Sequence, residues 1–264
     1  MGFIERLGRT IFRMIPPETE LIYQFCARYV DRFNGDNNSN PMANGENAFL
    51  RNISSGLGDG VVFDVGANVG DWASFVLAVN PKINLYCFEP SKATYDQLAQ
   101  RQWPRNVRLN NLGMGETPGI LELQVVGEGS ALNSLYSRRG IDSAKPQKVE
   151  NVTITTVDEY CLKNAIERIG LIKVDVEGHE LAVFKGMRQL MAKGCVDIIQ
   201  FEYGGCNLDS RTHLSDIWDL LERQGFKFHK LYPEGPRHIE KYQQSLETFK
   251  YSNWIAINQR HVSV

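Results

Sequence analysis

From Gly60 onward, short apolar runs alternate with segments of helical periodicity, and this alternation constrains the fold more than any other feature of the sequence. The runs, such as "INLYCF", stay apolar along most of their length, as in strands that are covered on both faces. Strands that alternate with helices pair in parallel, because each helix carries the chain back across one face of the sheet. We therefore predict a doubly wound, mostly parallel α/β sheet over residues 59–264.

One stretch departs from this alternation. The segments "GILELQVV" and "NVTITTVDEY" follow one another with only the loop "GSALNSLYSRRG" and polar residues between them. Because no helix separates the two strand-like segments, we predict a β excursion from the main sheet at this point.

Residues 1–58 have a different pattern and predict a helical extension of this domain, with three helices separated by Pro16–Pro17 and by the polar loop Asn34–Pro41. The first helix is amphipathic, with Arg6, Arg9 and Arg13 opposite an apolar side. The residues of that side are Phe3, Ile4, Leu7, Ile11, Phe12 and Ile15. Such a helix docks on its own domain, joins two copies in a homodimer, or makes a peripheral membrane contact.

The composition excludes several classes of protein. With 29 basic and 31 acidic residues, the chain lacks the basic surplus of a nucleic-acid-binding protein. No run approaches the roughly 18 apolar residues of a membrane span. The cysteines never form a CxxC pair, which disfavours a disulfide framework and a cysteine zinc site and indicates a reduced, cytoplasmic setting. These are Cys26, Cys87, Cys161, Cys195 and Cys206.

The segment "VVFDVGANVGDW" predicts a ligand-binding turn after the first strand. Asp64 closes the strand, and Gly66 and Gly70 bracket a turn that contains Ala67 and Asn68. Ligands of doubly wound sheets bind at the carboxyl ends of the strands, and a glycine such as Gly66 lets the backbone approach a ligand. The spacing is not the GxGxxG of dinucleotide-binding proteins.

The ends of the next two strands strengthen the prediction. Glu89 of "LYCFEP" lies nineteen positions beyond Gly70, where a carboxylate accepts hydrogen bonds from both hydroxyls of a ribose. Pro90 stiffens the turn that aims it. The third strand ends in turn residues that are candidates to border an adenine ring: Asn110, Asn111 and Gly113.

The segment "IKVDVEGHELAVFKG" concentrates polar residues at the end of a predicted fourth strand, Leu171–Val176. Side chains alternate along a strand, so Lys173 and Asp175 share one face. A buried ammonium group is costly without a partner, and we predict that Lys173 pairs with Asp175 or Glu177.

Three interpretations of this segment stay open. Asp175, Glu177 and His179 are candidates to accept a substrate hydroxyl, act as base or anchor a ligand, since an imidazole pKa of about 6.5 suits proton abstraction. Together with Glu202 of "IIQFEYGG", they also resemble the ligands of a hard divalent cation. However, there is no HxH or HxxxH pair and Lys173 competes for the carboxylates, so we predict no metal and assign Glu202 as hydroxyl acceptor or auxiliary base. Glu180 fits the start of a helix.

The motifs "FDVGANVGDW", "FEP", "VTITTVDEY" and "IGLIKVDVEGHELAVFKG", in this order, resemble the FkbM family of methyltransferases, which use S-adenosylmethionine (SAM). The similarity covers roughly Glu46 to Ile257. It implies a class I methyltransferase sheet of seven strands, with one antiparallel strand near the C-terminus. It further implies that Asp64–Gly70 holds the methionine part of SAM, Glu89 the ribose and "NNLG" the adenine. Met114 and Gly115 depart from the family pattern of a small and then an acidic residue.

The resulting hypothesis is an O-methyltransferase with SAM as cofactor. The acceptor would be a hydroxyl of a sugar, a glycan or a secondary metabolite, and the methyl-transfer face would be formed by Asp175 first, then His179 and Glu177, with Lys173 and Glu202. Ser130, Asn133, Ser134 and Tyr136 are candidates for the acceptor-side wall. Two alternatives stay open: a nicotinamide-dependent oxidoreductase, because Glu89 suits either ribose, and a non-catalytic binding protein of the same fold.

Overall fold

The computed structural model describes residues 18–139 and 145–260, together with residues 6, 8, 10, 13, 14 and 16. The strands in these ranges are β1 (Val61–Val65), β2 (Asn84–Phe88), β3 (Val107–Asn110), β4 (Gly113–Met114), β5 (Gly119–Val125), β6 (Lys148–Thr155), β7 (Ile169–Val174), β8 (Val196–Tyr203), β9 (Phe226–Tyr232), β10 (Gly235–Ile239) and β11 (Ser252–Asn258). The helices are α1 (Glu20–Asn34), α2 (Glu46–Leu57), α3 (Asp71–Val79), α4 (Lys92–Gln100), α5 (Val157–Lys163), α6 (Glu180–Lys185), α7 (Arg188–Ala192), α8 (Gly205–Ser210) and α9 (Leu214–Arg223).

Eight strands form the main sheet in the order β10-β9-β11-β8-β7-β1-β2-β3. From β3 to β8 neighbouring strands are parallel, and β11 runs antiparallel to both β8 and β9. The chain proceeds from β1 outward to β3 and then returns to the other side of β1 as β7. The order of the strands therefore reverses at β1, which opens a crevice at the carboxyl ends of β1 and β7.

The predicted α/β sheet with its antiparallel strand near the C-terminus is confirmed, with one strand more than the seven expected. The additional strand is β10, which pairs antiparallel with β9 at the edge of the sheet. Its sequence, "GPRHI", is short, polar and contains Pro236, which only an edge strand tolerates well. For these reasons it has no strand signal in the sequence.

The predicted β excursion is also present, as a separate sheet of β4, β6 and β5 in which β5 and β6 are antiparallel. It is shorter than expected, because "VDEY" belongs to helix α5 rather than to a strand. The N–H group of Glu159 donates to Oγ1 of Thr156 (3.0 Å), which caps the first turn of that helix.

Buried residues cover the main sheet on both faces. Along β1, Val62 belongs to one hydrophobic cluster and the adjacent Phe63 to the other, as the alternation of side chains in a strand requires. Phe49 and Leu50 of α2 lie in the same cluster as Val62. Helix α2 thus packs on the sheet domain, and the division of the chain near residue 58 stays a prediction.

The first amphipathic helix falls largely on residues outside the described part of the chain, including Phe3, Ile4, Leu7, Arg9, Ile11, Phe12 and Ile15. Helix α1 exposes apolar side chains, among them Leu21, Phe25 and Phe33. A homodimer or a membrane contact through these helices and the cytoplasmic setting remain predictions. Within the described ranges, every helix is too short or too polar to cross a bilayer.

Candidate active site

A cavity of about 880 Å³ lies at the carboxyl ends of β1, β2, β7 and β8. Its lining includes the turn after β1, the Glu89–Pro90 turn after β2, residues 175–177 after β7 and Glu202 in β8. Most of the predicted site residues therefore meet in one place, at the point where the strand order reverses.

The turn after β1 depends on left-handed backbone conformations, with φ of +85° at Gly66, +48° at Asn68 and +88° at Gly70. A Cβ atom at Gly66 would lie 1.8 Å from the carbonyl oxygen of Asp175, so this glycine allows the backbone after β7 to approach the turn. Gly66, Ala67 and Asn68 line the cavity.

Gly70 is not among the residues that line the cavity, and its assignment to the cofactor site stays a prediction. A Cβ atom there would lie 2.6 Å from Cδ1 of Leu98 and 2.8 Å from Cζ2 of Trp103, so this glycine allows α4 and the following loop to pack on the turn.

Glu89 is buried at the edge of the cavity and is tied to the turn after β1. The N–H group of Asn68 donates to its Oε2 (3.0 Å), and the N–H group of Ser91 donates to its Oε1 (2.9 Å). Each oxygen keeps a further lone pair for a ligand hydroxyl. Burial raises the pKa of Glu89 to about 7, although both hydrogen bonds oppose the shift.

The side-chain amides of the two asparagines after β3 donate to carbonyl groups of the backbone. Nδ2 of Asn110 donates to the carbonyl of Cys87 (3.1 Å), and Nδ2 of Asn111 donates to the carbonyls of Glu89 and Pro90 (2.9 Å each). Neither residue is among those that line the cavity, and their place beside an adenine ring stays a prediction.

Gly113 does line the cavity, as predicted, and it belongs to an apolar wall suited to a flat ring. The other members of this wall are Phe88, Pro90, Met114, Leu123 and Ile154. Leu123 and Ile154 come from the second sheet, which sequence reasoning did not connect with the site because the packing of that sheet is a long-range contact.

Asp64 is not among the residues that line the cavity, and its role in the cofactor site stays a prediction. It is fully buried, both its carboxylate oxygens lack hydrogen-bond partners among the described residues, and burial raises its pKa to about 6. Lys173 is its neighbour across the β1–β7 pairing.

The predicted pairing of Lys173 is confirmed. Its Nζ donates to Oδ2 of Asp175 (2.9 Å) and lies 5.7 Å from the centre of the Trp72 ring. Burial alone would lower the pKa of Lys173, but the negative charges of Asp175, Asp64 and Glu46 raise it above the usual value. The ammonium group therefore stays charged beneath the polar end of the cavity.

Asp175, Glu177 and Glu202 form what we call the carboxylate triad, because one oxygen of each lies within 4.8 Å of the others. Nη1 of Arg138 lies 2.6 Å from Oε2 of Glu177, and its Nε lies 3.3 Å from a carboxylate oxygen of Asp209. Asp175 is held by Lys173, whereas the Glu202 side chain has no hydrogen-bond partner among the described residues.

Burial and the neighbouring carboxylates raise the pKa values of two members of this triad. The pKa of Glu177 is raised to about 8 by burial and Asp175, although Arg138 opposes the shift. The pKa of Glu202 is raised well above its usual value by burial, Asp175 and Glu177. A raised pKa makes a carboxylate a stronger base once it has lost its proton, which suits a general base.

His179 lines the cavity, but its surroundings make it a poor base. Its Nδ1 lies 2.9 Å from the hydroxyl oxygen of Tyr136, and a Cβ atom at Gly115 would lie 3.0 Å from its Nε2. Burial lowers its pKa to about 4, so the imidazole is neutral at physiological pH.

Glu180 stabilises the backbone, in agreement with the interpretation as a helix start. Its Oε1 accepts hydrogen bonds from the N–H groups of Gly178 (3.0 Å) and Val176 (3.3 Å), and its Oε2 accepts one from Nδ2 of Asn207 (3.0 Å). The fully buried carboxylate thereby holds the turn that carries Glu177 and His179.

The loop after β5 covers part of the cavity, with Ser130, Asn133 and Ser134 in the lining as expected and Tyr136 behind His179. Oγ of Ser134 donates to the carbonyl of Glu177 (2.7 Å). The sequence analysis missed Arg138, which also lies in this loop. No recognisable motif surrounds this arginine in the sequence.

Other residues missed from the sequence come from both ends of the chain. They are Ser39, Pro41, Glu46 and Asn47 on one side and Tyr251 and Asn253 on the other. Trp72 of α3 is also in the lining, and its Nε1 is buried with no partner among the described residues.

Comparison with known proteins identifies relatives of this site. The family model described as the methyltransferase FkbM domain matches residues 64–228. The chain is 26% identical over 148 residues to the hexuronic acid methyltransferase AglP of Haloferax volcanii, a match that spans 55% of this chain and 57% of that protein. It is 27% identical to the 2-O-methyltransferase NoeI of Sinorhizobium fredii, over 67% of this chain and 76% of the relative.

A third relative is the 31-O-demethyl-FK506 methyltransferase FkbM of Streptomyces tacrolimicus, 23% identical over 48% of this chain and 59% of that protein. The matched family model begins at Asp64 in β1 and includes the turn after β1, Glu89 and the carboxylate triad. The site described above thus lies inside the matched region, and the chain belongs to the FkbM methyltransferase family.

Proposed function

We propose that this protein transfers the methyl group of SAM to a hydroxyl oxygen of a sugar or another small acceptor. One observation carries the proposal: a single cavity has a ribose-type carboxylate, Glu89, in one wall and the carboxylate triad in another. The names of two relatives, a 2-O-methyltransferase and a hexuronic acid methyltransferase, support a sugar hydroxyl as acceptor.

The residues of the cavity suit SAM. Asn68 lines the cavity and its Oδ1 is a buried acceptor with no partner among the described residues, as expected of a group that receives a hydrogen bond from a ligand ammonium. Glu89 has free lone pairs for two ribose hydroxyls. The apolar wall around Gly113 suits the adenine ring.

SAM, when bound, supplies a methyl group that its sulfonium makes electrophilic. The protein must then orient the acceptor hydroxyl and accept its proton, because an aliphatic hydroxyl is a poor acid. We assign Glu202 as the base, since Lys173 and Arg138 hold the other two carboxylates of the triad. Asp175 and Glu177 then orient the acceptor, and His179 fixes the loop after β5 through Tyr136.

The oxygen atoms of the triad also suit a divalent cation. Two of its members are already neutralised, however, Asp175 by Lys173 at 2.9 Å and Glu177 by Arg138 at 2.6 Å. We therefore propose that the triad works without a metal ion, with the two basic side chains balancing its charge.

Isothermal titration of SAM into the wild-type protein and a Glu89→Ala variant tests cofactor use. We expect binding by the wild type and at least about a tenfold weaker affinity in the variant, the loss of roughly 1.4 kcal/mol. Absence of SAM binding by the folded wild type contradicts the proposal. Fluorescence titration with NADH distinguishes the proposed methyltransferase from the oxidoreductase alternative. SAM binding without turnover on a broad panel of acceptors would favour a non-catalytic protein.

A further inference from the structure

Helix α1 exposes an apolar surface that the sheet domain does not cover, since none of its 15 residues is buried. Leu21, Phe25, Tyr29 and Phe33 are spaced four residues apart, so their side chains form one row along the helix. Their exposed fractions are 80%, 73%, 64% and 68%. We call these four residues the apolar ridge. A contiguous exposed apolar patch of this kind is typical of an interaction site.

The other side of α1 is attached to the sheet domain. Asp31 lies two residues from both Tyr29 and Phe33, which is about 160° around the helix. Its Oδ1 accepts a hydrogen bond from Nζ of Lys250 (2.6 Å), just before β11. Directly after the helix, Asp36 forms a buried ion pair with Lys230 of β9. These contacts fix α1 to the domain with the apolar ridge facing away from it.

The charges of α1 are divided between its two sides. Arg28 and Arg32 each lie three residues after a member of the apolar ridge, and their side chains therefore border it. Both are exposed, and neither forms an ion pair with a described residue. The acidic residues of the helix, Glu20 and Asp31, lie on the opposite side. The apolar ridge is thus bordered by unpaired positive charge, which is complementary to an anionic surface.

A second copy of the chain fits this surface less well than a lipid bilayer does. The apolar ridge is centred on residue 27, so an antiparallel two-fold pairing of two ridges would bring Arg28 of one copy beside Arg28 of the other. Two like charges in the middle of the contact would repel. An anionic bilayer attracts both arginines, and aromatic and aliphatic side chains insert between its headgroups.

We propose that α1 is a membrane-docking helix, which lays the apolar ridge into the surface of an anionic lipid bilayer while Arg28 and Arg32 bind the headgroup phosphates. The loop that follows α1 contributes Ser39 and Pro41 to the lining of the cavity. Docking through this helix therefore holds the cavity in a fixed position relative to the membrane. The inference rests on the surface of α1 and is independent of the proposed transfer reaction.

Co-sedimentation of the full chain with lipid vesicles tests this inference. One set of vesicles is pure phosphatidylcholine, and the other contains about 30 mol% phosphatidylserine, which supplies the negative charge. We expect at least about tenfold stronger binding to the anionic vesicles. This preference should disappear in about 1 M salt, because salt screens the attraction between the arginines and the lipid headgroups.

Two double variants locate the contact. Phe25→Ala combined with Phe33→Ala removes two rings from the apolar ridge and is expected to weaken binding to anionic vesicles by about tenfold or more. Arg28→Gln combined with Arg32→Gln is expected to weaken the same binding by about tenfold or more, since each basic residue near an anionic membrane contributes about fivefold. All four side chains are exposed, so both proteins should fold like the wild type, which thermal unfolding checks.

Matched controls change exposed residues elsewhere on the surface. Leu162→Ala removes a side chain of α5 that is 85% exposed, and Arg105→Gln removes an exposed charge from the loop before β3. Both are expected to bind vesicles like the wild type. A loss of binding in these controls equal to that in the α1 variants would show that the contact is not specific to α1 and would overturn the inference.

Three further results overturn the inference: no binding to either kind of vesicle, equal binding to both, or binding that survives both double variants. A dimer in analytical ultracentrifugation that dissociates in Phe25→Ala with Phe33→Ala, without vesicle binding by the wild type, would assign the apolar ridge to a second copy. Titration with SAM is expected to give the same affinity in all these variants. A failure of SAM binding would therefore count against the proposed function and not against membrane docking.

Discussion

A Cβ atom at Gly66 would lie 1.8 Å from the carbonyl oxygen of Asp175, so the turn after β1 and the end of β7 are packed backbone to backbone. This contact joins the predicted cofactor turn to the carboxylate triad. A side chain at position 66 would push the turn after β1 away from the end of β7. Because φ is positive at this position, a residue other than glycine would also strain the backbone.

We therefore predict that Gly66→Ala destabilises the fold by about 2 kcal/mol or more and abolishes SAM binding. Chemical denaturation and calorimetry measure the two effects. Gly56→Ala is the matched control, because that helical glycine has open space around it and alanine there is expected to stabilise α2 by up to about 1 kcal/mol. A Gly66→Ala protein with unchanged stability and SAM affinity contradicts this packing.

The affinity for SAM is predicted to depend on pH through Glu89. The ribose hydroxyls donate to this carboxylate, so only its ionised form accepts both hydrogen bonds, and burial raises its pKa to about 7. Affinity should accordingly rise as the pH increases from about 6 to 8 and then level off. In Glu89→Gln this rise should disappear, and an equal rise in the variant would assign the titration to another group.

His179→Ala is predicted to reduce turnover by less than about tenfold and to leave SAM affinity unchanged, because burial lowers the pKa of this imidazole to about 4 and leaves it a weak base. Steady-state kinetics measure the effect, and Tyr136→Phe is the companion variant that removes its hydroxyl partner. A loss of more than about a hundredfold in His179→Ala alone would make the histidine the base.

Turnover is predicted to survive EDTA, because Lys173 and Arg138 already neutralise two carboxylates of the triad. The assay compares chelated protein with protein supplied with Mg²⁺. The prediction is contradicted if turnover by the wild type requires Mg²⁺. If that dependence on Mg²⁺ is absent in Glu202→Gln, the cation binds at the triad.

The sheet and much of the site were predictable because their signals are local. Continuous apolar runs mark buried strands, and the cost of burying an ammonium group was enough to predict the pairing of Lys173. The capping residue Thr156 was an available signal for α5, since a threonine followed three positions later by a glutamate is typical of a helix start.

Several residues of the cavity lining could not be predicted in the same way. Asn47, Arg138 and Tyr251 reach one cavity from widely separated parts of the chain, and no periodicity or spacing connects them. Likewise, the amides of Asn110 and Asn111 could hydrogen-bond a ligand, but in the structure they donate to backbone carbonyls. These contacts depend on the packing of distant strands and cannot be read from the sequence.

The most direct test of the account is transfer of an isotopically labelled methyl group from SAM to a hydroxyl acceptor, compared between the wild type and Glu202→Gln. Glu122→Gln, an exposed change on β5, is the matched control. We predict labelled O-methyl product from the wild type and the control, and about a hundredfold slower transfer in Glu202→Gln with SAM affinity retained, since a general base contributes on the order of 10²–10⁴-fold. Equal rates in Glu202→Gln and the wild type, or no labelled product from a wild-type protein that binds SAM, would contradict it.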